Sequence, residues 1–345
     1  MSALKQRITA ACFAVLMILL AGCAPGVEQR SEKTRYEAGF LDVFDTATTI
    51  IGYAETEEEF RKVTQEIHDE LLHYHRLYDI YNVYEGINNL KTINDNAGKA
   101  PVEVEQEIID LLLFCKEMAS ATGGVVNVAM GSVLSLWHDA RSTAVNGGVA
   151  AVPDMDKLLL AAEHTSFDNV IIDEEASTVY LADGAMRLDV GAVAKGYAVE
   201  QVCQNAPAGL LISVGGNVCA TGPKASGEAW VVGIQDPDGD GNLHTLYAEG
   251  GSIVTSGDYQ RYFVVHDKIY HHIIDSDTLM PGDKWRAVTV VCPDSGVADA
   301  LSTALFLMNR EEGEKLAAAF DAQAMWLAHD GSEYFTSGFE AMLRN

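Results

Sequence analysis

LDVGAVAKGYA, residues 188–198, reads as the end of a strand, an acidic residue, a close turn and the start of a helix. Leu188 and Val190 suit a strand, and Asp189 stands at its end. Gly191 and Ala192 permit a tight backbone turn, and Ala194 to Gln201 has the composition of a helix start. First-turn N–H groups have no partner inside the helix, and the helix dipole favours negative charge there. Lys195 adds a mobile cation. Two readings stand on this stretch alone: a seat for an anionic ligand, or a plain connection whose lysine is solvated. The rest of the chain decides between them.

The chain has 345 residues, enough for one large or two small domains. Lys5 and Arg7 precede a short apolar run, Ile8 to Ala21, which ends in Leu20-Ala21-Gly22-Cys23. That ending resembles the bacterial lipobox. We expect residues 1–22 to be a lipoprotein signal peptide, and 23–37 to be the lipidated Cys23 with a polar tether. The folded domain would then be 38–345. A plain secretory signal with a coincidental cysteine is the alternative. The expected address is a bacterial membrane-anchored lipoprotein on the extracytoplasmic face, periplasmic or at the cell surface. The formal net charge is −27, which argues against nucleic acid as a partner. An anionic ligand would have to be held by local devices: a metal ion, a helix end, a lysine. Of six cysteines, those at 115, 203, 219 and 292 follow the signal and show no C-x-x-C spacing, so buried free thiols are expected.

Phe40 to Gly52 is β-rich. Thr56 to Ile80 has helical periodicity, with Thr56 and Glu59 placed as a capping box. His68, His73 and His75 lie on it as surface or packing histidines. Tyr81 to Asn94 reads as a loop, and Val102 to Ala121 as a second helix. The segment TGGVVNVAMGSVLSLW (122–137) reads either as backbone that approaches a ligand or as a glycine-broken turn into a buried helix. His138 and Asp139 close its apolar run, a loop reaches Pro153, and a short helix covers 154–164. Val170 to Leu181 is a hairpin. Leu210 to Val218 is a strand that breaks at Gly215-Gly216. Trp230 to Gln235 is a strand followed by DPDGDG (236–241), which imitates an EF-hand loop. Its twelfth position is Tyr247 rather than Glu, so a hairpin turn is the better reading. Ser252 to Asp275 supplies two or three strands, whose alternation turns His272 inward. There it is a structural residue or a general base. Ala287 to Cys292 is a strand and Val297 to Met308 a helix. Asp299 and Thr303, spaced i and i+4, share one face of that helix, with Ser302 beside them. Such hard oxygens suit magnesium, although Asp299 near a helix start is also explained by the dipole. Arg310 to Asn345 holds a helix, a strand at 324–328 and a tail.

Taken in order, these stretches resemble the ApbE family, the FAD:protein FMN transferases. The matching pieces are FDT at 44–46, TGGVVNVAMGSVLSLW, LDVGAVAKGYA, ISVGGN, WVVGIQDP, TSGDYQRYF, YHHIIDSDTLMP and VADALSTALF. The resemblance implies an α+β fold, one catalytic domain of mixed, largely antiparallel sheets flanked by helices. It also implies Mg2+-dependent transfer of FMN from FAD to a Ser or Thr hydroxyl of an acceptor protein, with AMP leaving. The acceptor would be a membrane or extracytoplasmic redox protein. Carried over by position, Ala192 (through its carbonyl), Asp299 and Thr303 would hold the metal, with Ser302 assisting. Phe44, Tyr81, Val126, Asn127, Val128, Asp189, Lys195 and His272 would contact FAD. His272 would also take the acceptor hydroxyl's proton, and Asp299 belongs with it to the catalytic set. The chain departs from the family pattern at Asn127, at Gly131-Ser132 and in DSDTLMP. Two other activities fit the same residues: an FAD pyrophosphatase giving FMN and AMP, and a non-catalytic FAD-binding lipoprotein.

Overall fold

The computed structural model describes residues 33–344; the signal segment, the lipobox and Cys23 lie outside the described residues. In chain order the elements begin with β1 (Thr34–Val43), β2 (Thr46–Ala54), α1 (Glu57–Tyr78), α2 (Leu90–Asp95), β3 (Val102–Glu103), α3 (Gln106–Ala121), α4 (Gly131–Val145) and α5 (Met155–Ala162). There follow β4 (Val170–Asp173), β5 (Thr178–Leu181), α6 (Ala194–Asn205), β6 (Leu211–Val214), β7 (Asn217–Ala220), β8 (Trp230–Gln235) and β9 (Asn242–Ala248). The chain ends with β10 (Gly251–Gly257), β11 (Tyr262–Val265), β12 (Lys268–His271), β13 (Ala287–Cys292), α7 (Ser295–Leu307), α8 (Arg310–Ala319), β14 (Gln323–Leu327), β15 (Glu333–Phe335) and α9 (Ser337–Glu340).

Eight strands form the central sheet in the order β1-β2-β6-β7-β10-β13-β14-β15, and each neighbouring pair is antiparallel. Three smaller sheets, β11–β12, β3–β5–β4 and β8–β9, are antiparallel as well. The fold is therefore α+β, as expected. Side chains alternate across a strand, so the central sheet buries both faces differently. Ile50, Ile212, Val254, Val288 and Trp326 join the helices α1, α6 and α7 in the largest core. Ala220, Ile253 and Met325 face the opposite way and are covered by the β8–β9 hairpin through Trp230, Val232, Ile234 and Leu246. A third apolar cluster ties α4 and α5 to the β11–β12 hairpin around Trp137, Phe263 and Ile274.

Two tight turns lie side by side at one end of the sheet. Phe44 and Asp45, both at positive φ (52° and 51°), join β1 to β2. Gly215 and Gly216 join β6 to β7, and a Cβ on Gly215 would run into the Thr46 side chain. These turns form one rim of the site.

Several boundaries differ from the sequence reading. Regular structure begins at Thr34 rather than 38, because Thr34 to Phe40 pair with β2. The helix expected from Val102 begins at Gln106, since Val102 and Glu103 pair with β5. The loop expected over 81–94 ends in α2, which Asn89 caps through its side chain. Helix α4 runs through His138 and Asp139 to Val145, so both belong to the helix. Helix α7 begins two residues earlier than read, capped by Asp294, whose side chain accepts from the Val297 N–H at 2.8 Å. The tail holds a further strand, β15, and the short α9. The four cysteines among the described residues are free, three of them buried and Cys203 half-buried. No helix among the described residues is long and apolar enough to cross a membrane.

Candidate active site

Helices α6 and α7 meet at Gly196. A Cβ there would overlap Asp299 Cβ and the Ser295 carbonyl and come within 3.0 Å of Asn217 Nδ2. The missing side chain is what lets the two helix starts touch. In a regular first turn the Gly196 N–H would donate to the Ala192 carbonyl. Here it donates to Asp299 Oδ2 at 2.8 Å, and the Ala192 carbonyl receives no hydrogen bond among the described residues. Asp299 is only 5% exposed. Burial lifts its pKa above the usual carboxylate range, opposed by Lys195, whose Nζ lies 3.6 Å from Oδ2, and by the Gly196 N–H. One turn further on, Thr303 lines the same space, and its hydroxyl has no hydrogen-bond partner among the described residues. A buried carboxylate, an uncommitted hydroxyl and a released carbonyl make a hard-oxygen donor set of the kind that suits Mg2+. The residues fit that ion. Ser302 is placed differently. Its hydroxyl donates to the Asp299 carbonyl (2.9 Å) and lies 2.8 Å from Ser256 Oγ, and the residue is absent from the lining of the cleft. Its position behind Asp299 suits a supporting contact rather than a ligand.

These groups open into a cleft of about 660 Å³, large enough for a drug-sized or dinucleotide ligand. Phe44, Tyr81, Val126, Asn127, Val128, Asp189, Ala192, Lys195, His272, Asp299 and Thr303 all line it. Asn127 turns its side chain to the protein itself: Nδ2 donates to the Thr165 carbonyl and Oδ1 accepts from the Ala129 N–H, each at 2.9 Å. Only its backbone and the flanking valines remain for a ligand. Asp189 is held from beneath. Asn94 donates to the Leu188 carbonyl (2.9 Å) and accepts from the Leu188 N–H (2.7 Å), while the Asp189 N–H donates to the Val128 carbonyl (2.8 Å). Asp189 Oδ1 then accepts from the Gly191 N–H at 2.9 Å.

His272 follows β12 directly, and its Nδ1 is buried without a partner. Burial, then the nearby Arg261, His271, Lys195 and Arg141, push its pKa down to about 3, so the ring is neutral. His271, its neighbour, points the other way and bonds the Gly282 carbonyl through Nε2 at 2.7 Å.

The sequence reading missed His75, Arg141 and Arg261 and gave His138 no role, yet the fold brings all four to the cleft. His75 accepts from the Phe44 N–H through Nδ1 (3.2 Å) and lines the site, so it is more than a packing histidine. Arg141 stands one helical turn beyond His138, and the run of α4 past Trp137 was its signal. Arg261 lay within TSGDYQRYF, but nothing local marked it as facing a ligand. With Lys195, the two arginines supply the local cations that an acidic chain must gather to hold an anion.

The sequence profile of the ApbE family matches residues 44–326. The chain is 36% identical over 243 residues to an FAD:protein FMN transferase of Treponema pallidum, an alignment spanning 65% of this chain and 66% of that protein. It is 32% identical over 245 residues to the enzyme of that name from Klebsiella pneumoniae, covering 69% of this chain and 74% of the relative. Its fold is similar to the crystal structure of the ApbE protein from Thermotoga maritima, with a TM-score of 0.80 at 28% identity over 90% of this chain and 100% of that one.

Proposed function

The chain belongs to the ApbE family of flavin transferases, and from that premise we propose that it moves FMN from FAD to a Ser or Thr hydroxyl of an acceptor protein, releasing AMP. The observation that carries this reading is the convergence at one cleft of a hard-oxygen set (Asp299, Thr303, the Ala192 carbonyl), three cations and a neutral imidazole. Phosphoryl transfer needs alignment and charge neutralisation more than covalent help. This constellation supplies both.

In the proposed reaction the acceptor oxygen attacks the phosphorus on the riboflavin side of FAD. The bridging P–O bond to the adenylyl phosphate breaks, and AMP leaves with that electron pair. Lys195 faces the phosphates, and Arg141 and Arg261 add positive charge. The N–H groups of Ala194, Gly196 and Tyr197 are already taken by the Val190 carbonyl, Asp299 and the Val193 carbonyl, so the helix start offers little more than its dipole. Magnesium, held by Asp299, Thr303 and the Ala192 carbonyl, would supply Lewis-acid neutralisation of phosphate charge. His272 takes the proton of the attacking hydroxyl. Its low pKa in the absence of ligand suits this role, because part of it comes from surrounding cations. A bound polyanion offsets them and raises the basicity of the ring when the substrate is in place.

We also propose that lipid on Cys23 anchors the protein at the extracytoplasmic face of a bacterial membrane, where its acceptor would be a membrane or extracytoplasmic redox protein. The lipobox-like Leu20 to Cys23 supports this reading.

The test uses the purified protein with FAD, MgCl2 and a threonine-containing acceptor, following AMP release and acceptor mass together. The reading expects an acceptor mass gain equal to an FMN adduct, and Asp299→Ala should abolish AMP release at unchanged folding. AMP and free FMN appearing at the same rate without acceptor would make the protein a pyrophosphatase. Tight FAD binding with no AMP would leave a flavin-binding protein.

A further inference from the structure

Tyr81, in the loop after α1, and Asp189, at the turn before α6, are joined through a third element. The Tyr81 hydroxyl lies 2.9 Å from His138 Nδ1, and His138 Nε2 lies 3.6 Å from Asp189 Oδ2. All three residues line the cleft. The pattern assigns the protons: Tyr81 donates to Nδ1, and the Nε2–H faces the carboxylate. The Tyr81 phenol keeps its proton, since burial of the hydroxyl end and the Asp189 charge push its pKa up to about 12.

Each end of this line is braced. Asp79, only 8% exposed, caps the end of α1 and accepts from the N–H groups of Tyr81 (2.6 Å) and Asn82 (3.1 Å), from Asn82 Nδ2 (2.9 Å) and from the Tyr84 hydroxyl (2.7 Å). At the other end Asn94 and Val128 fix the backbone at Leu188 and Asp189. The middle contact is longer than a hydrogen bond. Asp189 Oδ2 therefore keeps acceptor capacity, while Oδ1 is committed to the Gly191 N–H.

We infer that His138 is a positioning residue for the ligand: it holds Asp189 ready to accept from an N–H or O–H donor of the bound dinucleotide, and holds Tyr81 as a brace across the cleft. The inference rests on the flavin-transferase reading, because FAD carries both kinds of donor in its amino and hydroxyl groups. Truncating either partner frees the other. A bound ligand should then leave faster, with little change in the protein's own stability.

The experiment measures FAD dissociation from the full-length protein in detergent, through recovery of flavin fluorescence, for Tyr81→Phe, His138→Ala, the double variant and His138→Gln. Tyr81→Phe and His138→Ala should each raise the off-rate about tenfold, the equivalent of one polar contact. The double variant should be no faster than the singles, because both remove the same link. His138→Gln should recover part of the loss, and melting temperatures should stay within a degree or two of the parent. Unchanged off-rates, additive effects, or melting temperatures that fall in step with the rates would each overturn the inference. A parent protein that fails to retain FAD at all would overturn the transferase reading, and the role of His138 with it.

Discussion

At the scale of single residues, Gly196 resists replacement although it brings no side chain to the chemistry. Alanine is favoured over glycine in a helix by up to about 1 kcal/mol. Against that gain, a methyl group here meets a backbone carbonyl and the Asp299 Cβ, neither of which can swing aside. Overpacking of this kind costs about 1–3 kcal/mol, so the steric term wins. Gly196→Ala should lower stability by roughly 1–2 kcal/mol in urea titration and weaken Mg2+ binding, because Asp299 must shift. A stabilised variant would mean that α6 and α7 are not held at this distance. His272 makes a pH prediction. Its pKa falls from an ordinary 6.5 to about 3 in the folded protein, so between those values the unfolded chain binds more protons. Stability from this residue is complete above pH 6.5 and is lost as the pH falls towards 3. The slope approaches about 1.4 kcal/mol per pH unit, and the loss between pH 6.5 and 5 is about 1.6 kcal/mol. His272→Asn should lose correspondingly less over that interval. Equal losses in parent and variant would place the ring in water.

At the scale of elements, α7 matters most, since it carries Asp299 in its second turn and Thr303 in its third. Asp294 caps it, and Asp294→Ala should cost about 1 kcal/mol, read as a lower denaturation midpoint at an unchanged slope. Local signals of this kind made much of the fold legible. Period-two strands, the Thr56 cap, whose Oγ1 accepts from the Glu59 N–H at 3.2 Å, and the turn after Asp173 all read correctly from neighbours in sequence. The misreadings arose where a distant partner decides. Val102 and Glu103 have helix-compatible neighbours, yet β5 recruits them as strand. Helical composition runs on past Trp137, but nothing in it announces that α4 delivers the His138 ring and Arg141 to the cleft. Asp299 and Thr303 were readable because i and i+4 share a helix face. Ser302, adjacent in sequence, points instead to Ser256, a contact that only the folded sheet creates. His75 was opaque for the same reason: its partner, the Phe44 N–H, is thirty-one residues away.

At the scale of the whole molecule, charge separates approach from retention. Fifty acidic side chains against twenty-three basic ones give the chain a formal charge of −27, while Arg141, Lys195 and Arg261 gather at the cleft. An anionic dinucleotide therefore meets repulsion at long range, and at short range it finds these three cations beside the carboxylates of Asp45, Asp79, Asp189 and Asp299. The screening length falls from about 30 Å at 0.01 M salt to about 10 Å at 0.1 M. That range cuts off the field of the distant surface but leaves contacts inside the cleft largely intact. The association rate of FAD should therefore rise severalfold over that span of salt, with a smaller change in its dissociation rate. Neutral riboflavin should show no such rise, which separates charge from any effect of salt on the fold. Association that slows as salt is added would mean that the three cleft cations reach far enough to steer the ligand, outweighing the acidic surface around them.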